Sequence, residues 1–95
     1  MHYCIAYDIS VTRVRLKVIK LLKQAGLVRM QKSVFIGIAP PFMIHDIETA
    51  VKNLLLKTDK FCIIPLDKNA WTNLQLLGLN ISKTSFSRSE IAKFY

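Results

Sequence analysis

The chain has 95 residues, 52 % of them hydrophobic, and a formal net charge of +8 from 14 basic and 6 acidic residues. This length predicts a single domain, the apolar content favours an oligomer, and the charge favours a polyanionic partner over an acidic protein. No run approaches the roughly 18 apolar residues that span a bilayer, so a membrane-spanning helix is not expected.

The two cysteines lie in apolar runs, without the spacing of a zinc site or a disulfide framework. Cys4 and Cys62 are therefore expected to be buried free thiols in a reducing compartment. The first residues also lack the basic, apolar and small-residue regions of a signal peptide. The sequence predicts a cytoplasmic protein that makes no membrane contact.

The first half of the chain predicts a strand, a basic helix and a second strand. His2–Asp8 alternates as a strand and ends at a carboxylate. From a Thr12 N-cap to a stop at Gly26, apolar residues recur at helical spacing. Residues 28–37 alternate again, which predicts one long strand with a bend or bulge at Lys32.

The second half predicts a helix and two further strands. After two prolines at residues 40–41, the apolar period predicts a helix that continues to about Lys57. Residues 61–66 form a continuous apolar run, which predicts a central strand. Residues 67–71 then predict a turn, and residues 72–78 a last strand.

This order of elements fits a ferredoxin-like α+β sandwich, in which two helices cover one face of an antiparallel sheet. Residues 1–78 form the predicted domain, and residues 79–95 form a tail. The tail contains a strand-like run at residues 81–86 and a capping box, Ser87 with Glu90. Because the tail is also apolar, it is expected to dock on a partner subunit.

Half of the basic residues lie in an interval without acids, between Asp8 and Asp46. A solvated basic helix face is common, but the length of this interval favours nucleic-acid binding. The candidate nucleic-acid-binding residues are Arg13, Arg15, Lys17, Lys20 and Arg29.

Two strand motifs resemble those of the small CRISPR-associated protein two family. They are Tyr-Asp-Ile-Ser at residues 7–10 and Gln-Lys-Ser-Val-Phe at residues 31–35. Between them lies one basic helix, which carries Arg15 and ends at a Gly-Leu-Val-Arg junction at residues 26–29. The likeness extends to about Gly78 and implies a β-α-β-β-α-β protomer that dimerises, with a C-terminal strand that joins the partner's sheet.

The resemblance also implies a function. In that family a homodimer bridges two copies of the CRISPR integrase, the CRISPR-associated protein one, and holds the DNA that is captured as a new spacer. Many members are also metal-dependent nucleases on RNA or double-stranded DNA. Carried over by position, Asp8 is the implied metal-binding and catalytic aspartate, and the implied flanking residues are Ser10, Arg15, Ser33 and Phe35.

A magnesium site fits this chemistry, because Mg²⁺ stabilises developing charge, activates water and commonly takes one or two carboxylates. One protomer offers only Asp8 near the basic segment, so a two-fold axis would supply the second carboxylate from the mate. We expect one Mg²⁺, replaceable by Mn²⁺, between the two aspartates. Arg13, Arg15 or Arg29 would then hold the scissile phosphate.

Three interpretations stay open. A scaffold needs only a basic dimer and an integrase-binding tail, whereas a nuclease also needs Asp8 and a cation. The third is a toxin-like ribonuclease of the virulence-associated protein D type, which a neighbouring integrase gene and repeat array would separate from the first two. Judged without the resemblance, Asp8 is more commonly a capping acid, and Ser33 and Phe35 are more commonly packing residues.

Overall fold

The computed structural model describes residues 1–77, which form a four-stranded antiparallel sheet with helices. The strands are β1 (His2–Asp8), β2 (Val28–Gln31), β3 (Val34–Ile38) and β4 (Lys60–Leu66), and the helices are α1 (Thr12–Gln24), α2 (Pro41–Lys52) and α3 (Lys68–Asn73). The strand order β2-β3-β1-β4 is that of the predicted ferredoxin-like α+β fold. The strand, capping box and docking predicted for the tail lie outside the described residues.

The core lies between one face of the sheet and the helices α1 and α2. β1 buries Tyr3, Ile5 and Tyr7 on this face, because alternate residues of a strand point to opposite sides. α1 buries the apolar stripe that the helical spacing predicts, including Val18. It is followed by Gly26 at a φ of +91°, a left-handed conformation that favours glycine, so the predicted stop is confirmed.

Residues 28–38 form a hairpin, and the prediction of one long strand is wrong. β2 and β3 pair antiparallel around a two-residue turn at residues 32–33, so the bend expected at Lys32 reverses the chain. The register shifts between Arg29 and Gln31, where β2 holds one extra residue. The shift and the turn together keep Val28 and Ile36 on one face, as in a continuous strand, so alternation does not distinguish the two. The strand pairing that the resemblance implies is confirmed.

β4 is an edge strand that pairs only with β1 among the described residues, and not the predicted central strand. Its apolar run is continuous because successive side chains point to opposite faces of the sheet, and both faces are apolar along this strand. Phe61 and Ile63 pack against the core, whereas Cys62 and Ile64 are exposed on the opposite face. The burial predicted for Cys62 is therefore wrong.

Two helix predictions also differ from the structure. α2 ends at Lys52 rather than near Lys57, but Leu54 and Leu55 still pack against the core from the following turn, which prolongs the helical period. α3 replaces the predicted turn and part of the last strand, because the Asp67 carboxylate caps the helix by accepting from the backbone N–H of Ala70 at 2.7 Å. Within residues 1–77, no helix is long and apolar enough to cross a bilayer.

Candidate nucleic-acid and metal site

Asp8 is the last residue of β1, and its side chain is exposed. Its carboxylate accepts no hydrogen bond from residues 1–77, and α1 has no side-chain cap at its N-terminus, so the capping role common for strand-end acids is not observed. Directly opposite Asp8 in the β1–β4 ladder lies Lys60. The carboxylate is therefore available to a ligand and has a basic side chain as its cross-strand neighbour.

Asp8 lines a pocket with a cavity volume of about 290 Å³, which we call the basic pocket. The other lining residues are Ile9, Arg15, Arg29, Lys32 and Ser33. Three cationic side chains around one carboxylate favour an anion such as a phosphate, since guanidinium and ammonium groups donate charge-assisted hydrogen bonds to phosphate oxygens.

The wall of the basic pocket formed by the hairpin turn is fixed by one carbonyl group. The backbone oxygen of Lys32 accepts from the Tyr7 hydroxyl at 3.0 Å and from the Nε and Nη2 atoms of Arg29 at 3.2 and 2.8 Å. Burial raises the pKa of Tyr7, although Arg29 and Arg15 oppose this, so its hydroxyl stays a donor at neutral pH. The turn is thereby fastened to the end of β1.

Arg15 forms the wall on the side of α1. Its Nη1 donates to the carbonyl oxygen of Ile9 at 2.8 Å, and its Nη2 donates to the Thr12 hydroxyl at 3.0 Å. Because a guanidinium carries five N–H donors, others remain for a ligand. Arg15 therefore fixes the chain that follows Asp8 and can still contact a phosphate.

Ser10 is not part of the pocket lining. Its backbone N–H and its hydroxyl both donate to Oδ1 of Asp59, at 3.1 and 3.0 Å. Hydrogen bonds from the backbone N–H of Leu56 and from Ser10 lower the pKa of Asp59. Asp59 is not apparent from the sequence, because an acid just before a strand has no distinguishing spacing until β1 and β4 are known to pair.

The other predicted residues lie in three places. Ser33 lines the pocket at the hairpin turn, whereas Phe35 is fully buried beside Tyr7 and cannot touch a ligand. The remaining predicted cations lie exposed along α1 and form what we call the basic row: Arg13, Lys17 and Lys20. Lys32 and Lys60 are further cations near Asp8 that the predicted site lacks, and only the hairpin and the ladder bring them there.

The magnesium site stays a prediction, for which one protomer offers the exposed carboxylate of Asp8. Within residues 1–77, no group of three or more His, Cys, Asp or Glu side chains is arranged to hold a metal ion. A hydrated Mg²⁺ needs only one or two carboxylates, and the carboxylate of Asp8, which has no hydrogen-bond partner within residues 1–77, fits that requirement. A second carboxylate would come from another copy of the chain.

The fold and the basic pocket define a small α+β protein with a ferredoxin-like sheet and, at the end of β1, a pocket lined by three basic residues and one carboxylate. A family model described as CRISPR associated protein Cas2 matches residues 1–74, and the chain belongs to this family.

Two curated relatives and two crystal structures agree with this assignment. The chain is 38 % identical over 56 residues to CRISPR-associated endoribonuclease Cas2 1 of Methanospirillum hungatei, and 41 % identical over 54 residues to CRISPR-associated endoribonuclease Cas2 2 of Pyrobaculum aerophilum. These matches cover 59 % and 57 % of this chain and 59 % of each relative. The chain thus matches about three fifths of the length of these relatives.

The structural matches cover more of the chain. Streptococcus pyogenes Cas2, crystallised at pH 6.5, has a TM-score of 0.70 and 27 % identity, with 82 % of this chain and 100 % of that chain covered. A hypothetical protein of Thermus thermophilus has a TM-score of 0.69 and 32 % identity, with 82 % and 90 % covered.

Proposed function

We propose that this protein acts as a homodimer that binds nucleic acid and cleaves phosphodiester bonds in RNA or double-stranded DNA, with Mg²⁺ or Mn²⁺ held at Asp8. The observation that carries the proposal is the basic pocket, in which an exposed carboxylate lies beside Arg15, Arg29 and Lys32. The two relatives named endoribonucleases support it.

The residues of the pocket have separate roles in this proposal. Arg29 and Lys32 bind the non-bridging oxygens of the phosphate, and the contact of Arg29 with the Lys32 carbonyl orients the guanidinium before a ligand arrives. Asp8, which lines the pocket, would hold the cation. A metal ion bound there would supply charge stabilisation at the phosphate and an activated water.

A dimer would complete the site. The sheet face opposite α1 and α2 carries apolar or small side chains at the β1–β4 end, and we call this region the open face: Cys4, Ala6, Cys62 and Ile64. Ile64 is 42 % exposed, and Asp8 follows Ala6 on the same side of β1. A two-fold interface on the open face would bring the two copies of Asp8 near each other, and a cation between them would offset their repulsion.

The scaffold role that the family resemblance implies uses a different part of the molecule. Bridging the CRISPR integrase and binding spacer DNA need the dimer and exposed cations, which the basic row supplies, but they do not need Asp8. Membership of the Cas2 family supports these two roles over a toxin-like ribonuclease. The cytoplasmic location stays a prediction.

The test is cleavage of labelled single-stranded RNA and double-stranded DNA with Mg²⁺ or Mn²⁺, with and without chelator, while binding is followed in parallel. The variant is Asp8→Asn, and its charge-matched control is Asp46→Asn, an exposed acid on α2. We expect chelator and Asp8→Asn to abolish cleavage and Asp46→Asn to retain it. Binding without cleavage by the unmodified protein would refute the catalytic role and leave the scaffold.

A further inference from the structure

One carboxylate joins two loops beside the basic pocket. Oδ1 of Asp59 accepts from the backbone N–H and the hydroxyl of Ser10, at 3.1 and 3.0 Å. Oδ2 accepts from the backbone N–H of Leu56 at 3.0 Å, and the N–H of Asp59 returns a bond to the Leu56 carbonyl at 3.0 Å. Asp59 therefore closes the turn before β4 and ties that turn to the chain just after β1.

The hydrogen bonds between Ser10 and Asp59 lie just beyond the end of the β1–β4 ladder, where strand pairing no longer holds the chain. Asp8 and Lys60 are the last pair of the β1–β4 ladder, and Ser10 is two residues beyond it. Past this pair, the polar contacts that hold residues 9–10 within residues 1–77 are the hydrogen bond from Arg15 to the Ile9 carbonyl and the two hydrogen bonds from Ser10 to Asp59. Hydrogen bonds to a carboxylate are the stronger kind, because the acceptor is ionised.

We propose that Asp59 is a positioning residue: it fixes Ser10 and thereby sets the position of the Asp8 carboxylate, which lines the basic pocket. The inference rests on the proposed function, in which Asp8 holds the cation used in cleavage. Ser10 then serves as the link between Asp59 and Asp8, and it need not contact the substrate.

The chain offers a matched control at the other end of β4. Asp67 follows this strand as Asp59 precedes it, and its Oδ1 likewise accepts from a backbone N–H, that of Ala70 at 2.7 Å. Asp67 borders the end of β4 that pairs with His2, away from Asp8. Removing either carboxylate takes a capping interaction from a loop, but only Asp59 touches the chain next to Asp8.

The experiment measures kcat and KM for cleavage of single-stranded RNA in Mn²⁺ by the unmodified protein, Asp59→Ala, Asp67→Ala, Ser10→Ala and Asp8→Asn. Melting temperatures are recorded for all five. We expect Asp59→Ala to lower kcat by on the order of tenfold or more with KM unchanged, because small misplacements of a reacting group are costly. Asp67→Ala should lose thermal stability but keep its kcat, and Ser10→Ala should lower kcat less, since it keeps the backbone bond.

The outcomes separate this inference from the proposed function. If Asp8→Asn is inactive while Asp59→Ala keeps the kcat of the unmodified protein, only the positioning role is overturned. The same holds if Asp67→Ala lowers kcat as much as Asp59→Ala. If Asp8→Asn cleaves normally, or the unmodified protein does not cleave, the proposed function fails and the inference fails with it. Should Asp59→Ala not fold, an unchanged kcat in Ser10→Ala overturns the inference.

Discussion

The hydroxyl of Tyr7 donates a 3.0 Å hydrogen bond to the backbone carbonyl of Lys32, which lies 25 residues further along the chain. Tyr7 immediately precedes Asp8, and Lys32 opens the hairpin turn, so this bond joins the two sides of the basic pocket. Because Arg29 donates to the same carbonyl, the strand, the turn and one cation of the pocket share a single acceptor.

Replacing Tyr7 with Phe should lower the free energy of unfolding by about 0.5–1.5 kcal/mol, the usual net contribution of one hydrogen bond. The loss stays moderate because the Lys32 carbonyl keeps its bonds from Arg29. Urea denaturation measures it. The control is Tyr3→Phe, since Tyr3 is buried on the same face of β1 and its hydroxyl makes no hydrogen bond to residues 1–77. Equal losses in the two variants would contradict the prediction.

The sequence correctly predicts the elements that are marked by signals within a few neighbouring residues. β1 has the predicted bounds, and α1 ends at Gln24, two residues before the glycine predicted to stop it, because alternation, helical spacing and Gly26 each act within a few residues. The hairpin cannot be predicted from alternation, because the register shift beside the turn leaves Val28 and Ile36 on the same face, as one long strand would. The link between Ser10 and Asp59 cannot be predicted from local patterns either, since it joins residues 49 apart in sequence.

Gly37→Ala should destabilise the protein more than Gly26→Ala. Both glycines have positive φ, +155° and +91°, so both substitutions strain the backbone, by about 1–3 kcal/mol. A Cβ at Gly37 would also lie 3.3 Å from Cδ2 of Leu27, whereas a Cβ at Gly26 would meet nothing within 4 Å. Urea denaturation of the two variants tests this order, and a larger loss for Gly26→Ala would contradict it.

Replacing the basic row, Arg13, Lys17 and Lys20, with alanine should weaken DNA binding and flatten its dependence on salt. Each lost phosphate contact lowers the slope of log K against log salt by about 0.9 on double-stranded DNA. Binding is measured at several salt concentrations. The control replaces three exposed lysines elsewhere with the same loss of charge: Lys52, Lys57 and Lys68. An equal change of slope in both variants would show that net charge, and not the basic row, sets the affinity.

Ile64→Lys should weaken the proposed dimer without unfolding the protomer. Ile64 is 42 % exposed on the open face, so a lysine there is tolerated in a monomer. In a two-fold interface it would bury two unpaired charges, which should raise the dimer dissociation constant by more than about tenfold. Sedimentation and circular dichroism measure assembly and folding. The control is Leu16→Lys on α1, where Leu16 is 58 % exposed, and a dimer unchanged by Ile64→Lys would place the interface elsewhere.

Acid should remove the stability that the Asp59 carboxylate provides. The bond from the backbone N–H of Leu56, with those from Ser10, lowers the pKa of Asp59 below its ordinary value of 3.8. The folded protein therefore binds fewer protons than the unfolded chain in this range, and stability falls as the pH drops through the folded pKa.

Melting temperature should consequently fall more steeply between about pH 5 and pH 2 in the unmodified protein than in Asp59→Asn. Asp46→Asn, which changes an exposed acid whose carboxylate accepts no hydrogen bond from residues 1–77, should follow the unmodified curve. Parallel curves for the unmodified protein and Asp59→Asn would mean that the carboxylate contributes no net stability through Ser10 and Leu56.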